Sequence, residues 1–254
     1  MKTKSLQVWV SLIFLVFFCS ANALAGDTQD QKNWQFNLLP FYLWGVSIDG
    51  NLQSGSSVAQ LNVPFGDIFD SLEAAFIVHV DVLHKSNFGF IVDLNAMDIS
   101  SSGTIPTGLT LDVGLKVRLA EFSGFYRIQR GNQYFDAILG MRYVELSPKI
   151  TPTWGPTLLD ESQDWIDPLV GGRYTWNFTE GWSVVVRGDI GGFGVGSEFS
   201  WQAQGLVEWQ PFKNVSFLAG YRALYEDYEN GTGPGFFSFD ATLHGPVLGL
   251  NFKW

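Results

Sequence analysis

The stretch DPLVGGRYTWNFTEGWSVVVRGDIGGFGVGSEFSWQAQGLVE, residues 167–208, decides how the rest of the chain is read. It holds three runs of alternating residues. The polar turn Thr179-Glu180-Gly181 divides the first two, and a glycine-rich link divides the second from the third. One parity carries Val170, Tyr174, Trp176 and Phe178, then Trp182, Val184, Val186 and Ile190, then Trp201, Ala203, Val207 and Trp209. The other carries Asp167, Gly171, Arg173, Thr175 and Asn177, then Ser183, Arg187 and Asp189, then Gln202, Gln204 and Glu208. Alternation with a period of two specifies half-buried antiparallel strands.

The flanking sequence bounds the answer. Met1 to Ala25 has a basic start (Lys2, Lys4), an apolar run over 8–18 and a closing Ala21-Asn22-Ala23-Leu24-Ala25. That is the pattern of a secretory signal peptide, too short to span a membrane as a helix. Residues 1–25 are therefore expected to be removed by cleavage after Ala25 (Ala23 is the alternative), following export through the Sec pathway. Residues 26–33 form a short N-terminal segment, and 34–254 the remaining domain. Phe18 argues against a lipid anchor on Cys19. Because Cys19 is the only cysteine, no disulfide or thiol nucleophile is expected in the exported chain. Without Lys2 and Lys4, 13 of the 15 basic residues face 25 acidic ones, a net charge near −12 that excludes nucleic acid as a partner. No apolar run after residue 25 has helical spanning length, so membrane insertion would have to be by strands.

Outward from the opening stretch, the pattern marks ten strands. The first is 34–48, with Trp34, Phe36, Leu38, Tyr42, Trp44, Val46 and Ile48 on one parity. A link over 49–74 contains PFGDIFDSL, whose spacing predicts a short amphipathic helix (residues 64–72) packed on the rim, with a plug or lid as the alternative. Further strands are read at 75–84, 88–99, from about 109 (with Leu111, Val113, Leu115, Val117 and Leu119 on one face), 134–146, the three opening runs, 215–228, and a last one ending at Trp254. Links alternate between long and short. Long loops at one end, short turns at the other and an even strand count describe an outer-membrane barrel. The fold class expected is thus all-β, an antiparallel transmembrane β-barrel of about 10 strands (8 or 12 as alternatives), with long extracellular loops and short periplasmic turns.

A soluble barrel also has one apolar face. Two features favour lipid outside. Tryptophans fall at strand ends: Trp34, Trp44, Trp176, Trp182, Trp201, Trp209 and Trp254 are expected to form two aromatic girdles. Ten residues of tilted strand span about 25 Å, the height of the apolar band. The polar parity also holds Gly45, Gly114, Gly140, Gly171, Gly191, Gly220 and Gly249, which make room in a narrow lumen.

A polar motif repeats with one spacing: Asp136-x-x-x-Gly140-x-Arg142-Tyr143 and Asp167-x-x-x-Gly171-x-Arg173-Tyr174, with Ser216-x-x-x-Gly220-x-Arg222 as a partial copy. In a strand, positions i, i+4 and i+6 share a face. Asp136, Arg142, Asp167, Arg173 and Arg222, together with Asp81, Asp93, Asp112, Arg118, Arg187, Asp189 and Glu208, are expected to line the lumen as a charge network. Ten strands leave little free space, so these charges are expected to pair across the interior. A charge-lined pore is the alternative.

The paired G-x-R-Y strands, Arg187-Gly188-Asp189-x-Gly191-Gly192-Phe193-Gly194-Val195-Gly196-Ser197, Trp201-Gln202 and Gly245-Pro246-x-x-Gly249-Leu250 resemble a family of bacterial outer-membrane β-barrel proteins. The alternation ending at Trp254 resembles the C-terminal assembly signal of such proteins. The resemblance implies the fold and the outer membrane of a Gram-negative cell envelope, with lipids and lipopolysaccharide as surroundings and the assembly machinery as a partner. It implies no activity.

Chemistry is sparse. His79 shares an inward face with Asp81, opposite Asp93; a paired lumen histidine is expected over a proton relay or hydrolase. His244 falls on the apolar parity with Thr242 and Asp240, which predicts a bulge near Gly245-Pro246. Loop acids Asp160, Glu161, Asp164, Glu226, Asp227 and Glu229 match no calcium-loop spacing. Gly191–Gly196 precedes no helix and is not a phosphate loop. No cofactor, metal or catalytic group is assigned. The function expected is an integral outer-membrane barrel with a narrow charged lumen, structural or a passive porin-like route for small solutes. A lipid-modifying barrel enzyme and a surface-binding protein using the long loops are the alternatives.

Overall fold

Each strand of the chain finds its partners from the same alternation. The structure is a computed structural model that describes residues 33–70, 72–104, 110–155, 157 and 159–254. The expected signal peptide (1–25) and nearly all of the 26–33 segment lie outside the described residues. In chain order the elements are β1 (Trp34–Trp44), β2 (Ser47–Ser54), β3 (Ser57–Val63), α1 (Phe65–Asp70), β4 (Leu72–His84), β5 (Phe88–Thr104), β6 (Thr110–Arg130) and β7 (Gln133–Pro152). They continue with β8 (Leu159–Asp160), β9 (Gln163–Thr179), β10 (Trp182–Gly192), β11 (Phe199–Phe212), β12 (Val215–Asn230) and β13 (Phe237–Lys253).

Ten strands close a barrel in the order β1-β4-β5-β6-β7-β9-β10-β11-β12-β13, with β13 returning to β1; every pairing is antiparallel. Closure leaves no exposed edge along this ring, the one way a sheet satisfies its backbone in lipid. The strands tilt. A row of paired residues that starts at Asn37 near the start of β1 passes Asp81, Ile91, Ser123, Gly140, Leu169, Gly191, Ser200, Glu226 and Ala241, and returns at Gly50 in β2. β2 prolongs β1 along β13, and β3 folds back on β2 as an added hairpin. Helix α1 follows, as the sequence predicts. The Phe65 N–H donates to Ser47 Oγ at 3.0 Å, and the Phe65 ring lies so close to Gly45 that a Cβ there would stand 3.0 Å from it. The helix therefore rests where β1 passes into β2.

Two readings of parity need correction. In β1 the register with β13 shifts between Leu38 and Phe41, a bulge at Pro40, which has no N–H to give to a ladder. The bulge exchanges the faces beyond it. Phe41 and Leu43 are exposed, while Tyr42 and Trp44 point inward. Trp44, expected in an aromatic girdle, is 5% exposed and faces the barrel interior. In β6, Val117 and Leu119 are buried inside, and it is Phe122, Tyr126 and Ile128 that are exposed. Arg118 and Asp112 therefore leave the expected interior set. Arg118 points outward and pairs with Asp98. The expected bulge near Gly245-Pro246 is also absent: β12 and β13 pair without a register shift, so Asp240, Thr242 and His244 do face outward.

One physical change along the barrel accounts for the differences in β6 and β13. Toward the short turns the outer surface is apolar (Leu139, Met141, Val186, Leu248) and the interior ionic. Toward the long loops the signs reverse. Lys116, Glu145, Lys149, Asp164 and Asp227 take outward positions, and the interior fills with apolar side chains. That cluster includes Val117, Leu119, Val144, Leu146, Leu224, Phe237, Phe239 and Leu243, with Trp165 stacked on Tyr228 at 3.9 Å between ring centroids.

Candidate functional site

Among the described residues, the interior of the short-turn half is where many charged side chains meet. It is built by β4, β5, β6, β7, β9, β10, β11 and β12, each contributing the inward residue of an alternating pair. Gly140 and Gly171 make it possible. A Cβ on Gly140 would lie 2.1 Å from Ser123 Oγ, and one on Gly171 would lie 2.4 Å from the Gly188 carbonyl oxygen. Only a residue without a side chain lets these strands approach so closely.

The charges form one chain across the barrel. Asp136 receives Arg127 Nε at 2.7 Å and Arg173 Nε at 2.9 Å. Arg173 reaches on to Asp81 at 2.7 Å. His79 stands between Asp81 (3.4 Å) and Asp93 (2.9 Å). Asp93 pairs with Arg222 at 3.2 Å, and Arg222 donates to Gln202 at 2.9 Å and lies over the Trp44 ring at 4.6 Å. Gln202 donates to Asp189 at 3.1 Å. Asp189 receives Arg187 at 2.9 Å and Arg142 at 2.6 Å, and Arg187 also holds Glu121 at 2.6 Å. Charges taken out of water persist when paired and hydrogen-bonded in this way.

Eight of the residues expected in a lumen network thus meet in one chain: Asp81, Asp93, Asp136, Arg142, Arg173, Arg187, Asp189 and Arg222. Glu208 lies apart, held by Lys253 at 2.5 Å and by Ser216. Asp167 makes no ion pair with an arginine among the described residues. Its carboxylate accepts from Ser197 N and Ser197 Oγ, both at 2.7 Å, and from Trp165 Nε1 at 3.2 Å. Glu121 and Arg127, which the sequence reading does not name, join the interior, as do Gln202, placed there only on the polar parity, and Glu226. Glu226, read as a loop acid, is buried 3.7 Å from Arg142 because it shares the inward parity of Arg222 and Leu224 in β12. The missed signal for Glu121 was the parity of Leu119, continued two residues further.

A cavity of about 100 Å³ lies within the network, bordered by His79, Asp81, Arg173, Arg222 and Gln204. It shares Tyr134, Glu208 and Lys253 with a second space of about 400 Å³ at the short-turn mouth. The first is large enough for a few water molecules. Beyond it, toward the long loops, the apolar cluster takes up the interior. Among the described residues no group of His, Cys, Asp and Glu is placed to hold a metal ion.

Of the expected girdle residues, Trp34, Trp176, Trp182 and Trp209 are exposed near the short-turn end, where Trp182, Trp209 and Phe217 stack in series at 6.0 and 5.8 Å. Trp254 stacks on Phe36 at 5.7 Å at the same end. Trp201 lies toward the other end, 6.2 Å from Tyr225.

These features define the class: a closed ten-stranded antiparallel β-barrel of the outer-membrane type, apolar outside along one half and ion-paired within. No protein-family model matches the sequence, and no curated protein does. Among solved structures the chain is similar to Ail, the attachment invasion locus protein of Yersinia pestis, in complex with the heparin analogue sucrose octasulfate, with 10% identity over 87% of this chain and 97% of that one and a TM-score of 0.39. It is similar also to the P. putida toluene transporter TodX (10% identity, 88% and 90% covered, TM-score 0.33) and to a Pseudomonas aeruginosa FadL homologue (9%, 87% and 89%, TM-score 0.30).

Proposed function

We propose that the chain is an integral outer-membrane barrel whose interior is closed by its own side chains, and that its role is structural. The observation that carries this reading is the reversal of polarity along the strands. An apolar exterior over an ion-paired interior suits lipid, and a polar exterior over an apolar core suits water. The short turns then lie in the periplasm and the long-loop half rises beyond the outer leaflet. Trp34, Trp176, Trp182, Trp209 and Trp254 supply the periplasmic girdle and Trp201 part of the outer one. Leu248, Leu250 and Phe252, on the outward face of the last strand before Trp254, fit an assembly signal. This location requires export, for which residues 1–25 carry the expected signal.

The cavity that opens toward the short-turn mouth favours a second reading, a passive route for small solutes. That route would need the apolar cluster around Trp165 and Tyr228 to move aside. A lipid-modifying enzyme receives less support. At the outer boundary His244 Nε2 meets Asp49 at 2.6 Å and its Nδ1 meets Tyr221 OH at 2.5 Å, contacts that tie β2, β12 and β13 together across the strands. Recordings of the purified barrel in planar bilayers test the proposal. The closed scaffold gives a flat baseline at moderate voltage; steady, reproducible conductance steps would replace it with the pore.

A further inference from the structure

The segment Gly191–Ser197 has no part in the ionic chain, yet several hydrogen bonds and close backbone approaches fix it. It joins β10 and β11, while β9 on one side begins at Gln163 and β12 on the other runs to Asn230, so both neighbours extend past this hairpin. Its geometry is locked. Asp167, wholly buried, holds Ser197 by both backbone N–H and hydroxyl, and the Glu198 N–H donates to the Asp227 carbonyl at 2.8 Å. Within the loop, Gly194 N donates to Ser197 O and Val195 N to Gly192 O, each at 3.0 Å. A Cβ on Gly196 would lie 2.5 Å from both Asp167 Oδ1 and the Ile166 carbonyl.

This rigid loop holds two apolar side chains in the open. Phe193 is 52% exposed and Val195 73% exposed. Phe193 also has φ 55°, the left-handed region in which a bulky residue is strained. Glycine or asparagine would make this turn without strain. Strain spent where about half of the phenyl residue stays exposed points to a surface outside the molecule. The loop lies where the outward residues change from Val170, Ile166 and Ile190 to Asp164, Glu198 and Asp227, so its exposed ring continues the apolar band at its upper margin.

We propose that the Gly191–Ser197 loop is an interfacial anchor that places Phe193 and Val195 among the acyl chains of the outer leaflet, next to the headgroups. It sets the depth of the barrel on the side where the wall is shortest. Asp167 is the positioning residue that keeps the loop in place. The proposal rests on the membrane-spanning reading and specifies how one side of the barrel is held.

The exported chain has no other cysteine, so a single probe can be placed cleanly. Val195→Cys, Leu139→Cys (mid-band) and Glu229→Cys (beyond the band) are each labelled with nitrobenzoxadiazole and reconstituted into phosphatidylcholine vesicles with and without brominated acyl chains. The expected result is quenching at 195 within about twofold of that at 139, with little at 229. In an Asp167→Asn background, quenching at 195 should fall about twofold while that at 139 stays. Quenching at 139 without quenching at 195 overturns the anchor and leaves the spanning barrel intact, as it would if the loop served a protein partner. Absence of quenching at both removes the spanning reading and the anchor together.

Discussion

Arg142 is the residue whose removal tests the ionic interior most severely. It is 1% exposed, with Asp189 at 2.6 Å, Glu121 at 3.6 Å and Glu226 at 3.7 Å. With an effective dielectric of about 20, a charge pair at that shortest separation attracts by about 6 kcal/mol before desolvation is counted. Removing one member of a buried pair costs about 3–5 kcal/mol net. The structure places Arg142→Met near the lower end, because Asp189 keeps Arg187 and Gln202 and Glu121 keeps Arg187. Methionine preserves most of the volume, so the loss reports charge rather than a void. The assay is equilibrium urea unfolding of the refolded barrel in phospholipid vesicles, followed by tryptophan emission. Asp189→Asn and the double variant complete a cycle in which the double loss should fall short of the sum by more than about 1 kcal/mol. A loss under about 0.5 kcal/mol, or simple additivity, would show that the paired interior does not hold the barrel together.

Other expectations follow from single positions. Val186→Arg sets a charge on the outward face of β10, where valine is 51% exposed, and should cost about 2–4 kcal/mol in the same assay; no change would mean that β10 does not meet lipid. Gly140→Ala drives a methyl group to 2.1 Å from Ser123 Oγ and 2.6 Å from the Phe122 carbonyl. It should destabilise by about 1–3 kcal/mol, and a neutral result would place the β6–β7 ladder wrongly. At the outer rim, burial first and then the acids Asp240, Glu229 and Glu198 raise the Asp227 carboxyl above its ordinary value. A raised carboxyl is strained while ionised, so the rim gains stability as pH falls through its titration. Carboxyl NMR should show a midpoint above that of a free aspartate and a drop on Glu198→Gln; an ordinary midpoint would separate these acids.

The barrel was legible because the alternation is a local property that each strand repeats. The facing of the strands between Asp167 and Arg222 read correctly from parity alone, and the repeated Asp-x-x-x-Gly-x-Arg motif anticipates Asp136 beside Arg173, since antiparallel register sets them opposite one another. The same register sets Arg142 opposite Asp167, and there the reading stops. Arg142 turns across the interior to Asp189, and Asp167 is taken by Ser197 from a loop 30 residues away. Contacts made through the middle of a barrel leave no spacing in the sequence. Trp44 was misplaced because a single extra residue at Pro40 flips a strand with period two. Arg118 was misplaced because one parity was taken to face one solvent throughout, whereas β6 passes from lipid into water along its length.

That passage is the centre of the account, and labelling along β7 tests it most directly. Its outward residues run Leu139, Met141, Tyr143, Glu145 and Lys149. Single cysteines at 139, 141, 145 and 149 in whole cells, treated with a membrane-impermeant maleimide, should be silent at 139 and 141 and react at 145 and 149. Reaction at all four positions, or at 141 and not at 145, would contradict a barrel whose lipid face ends between Met141 and Glu145.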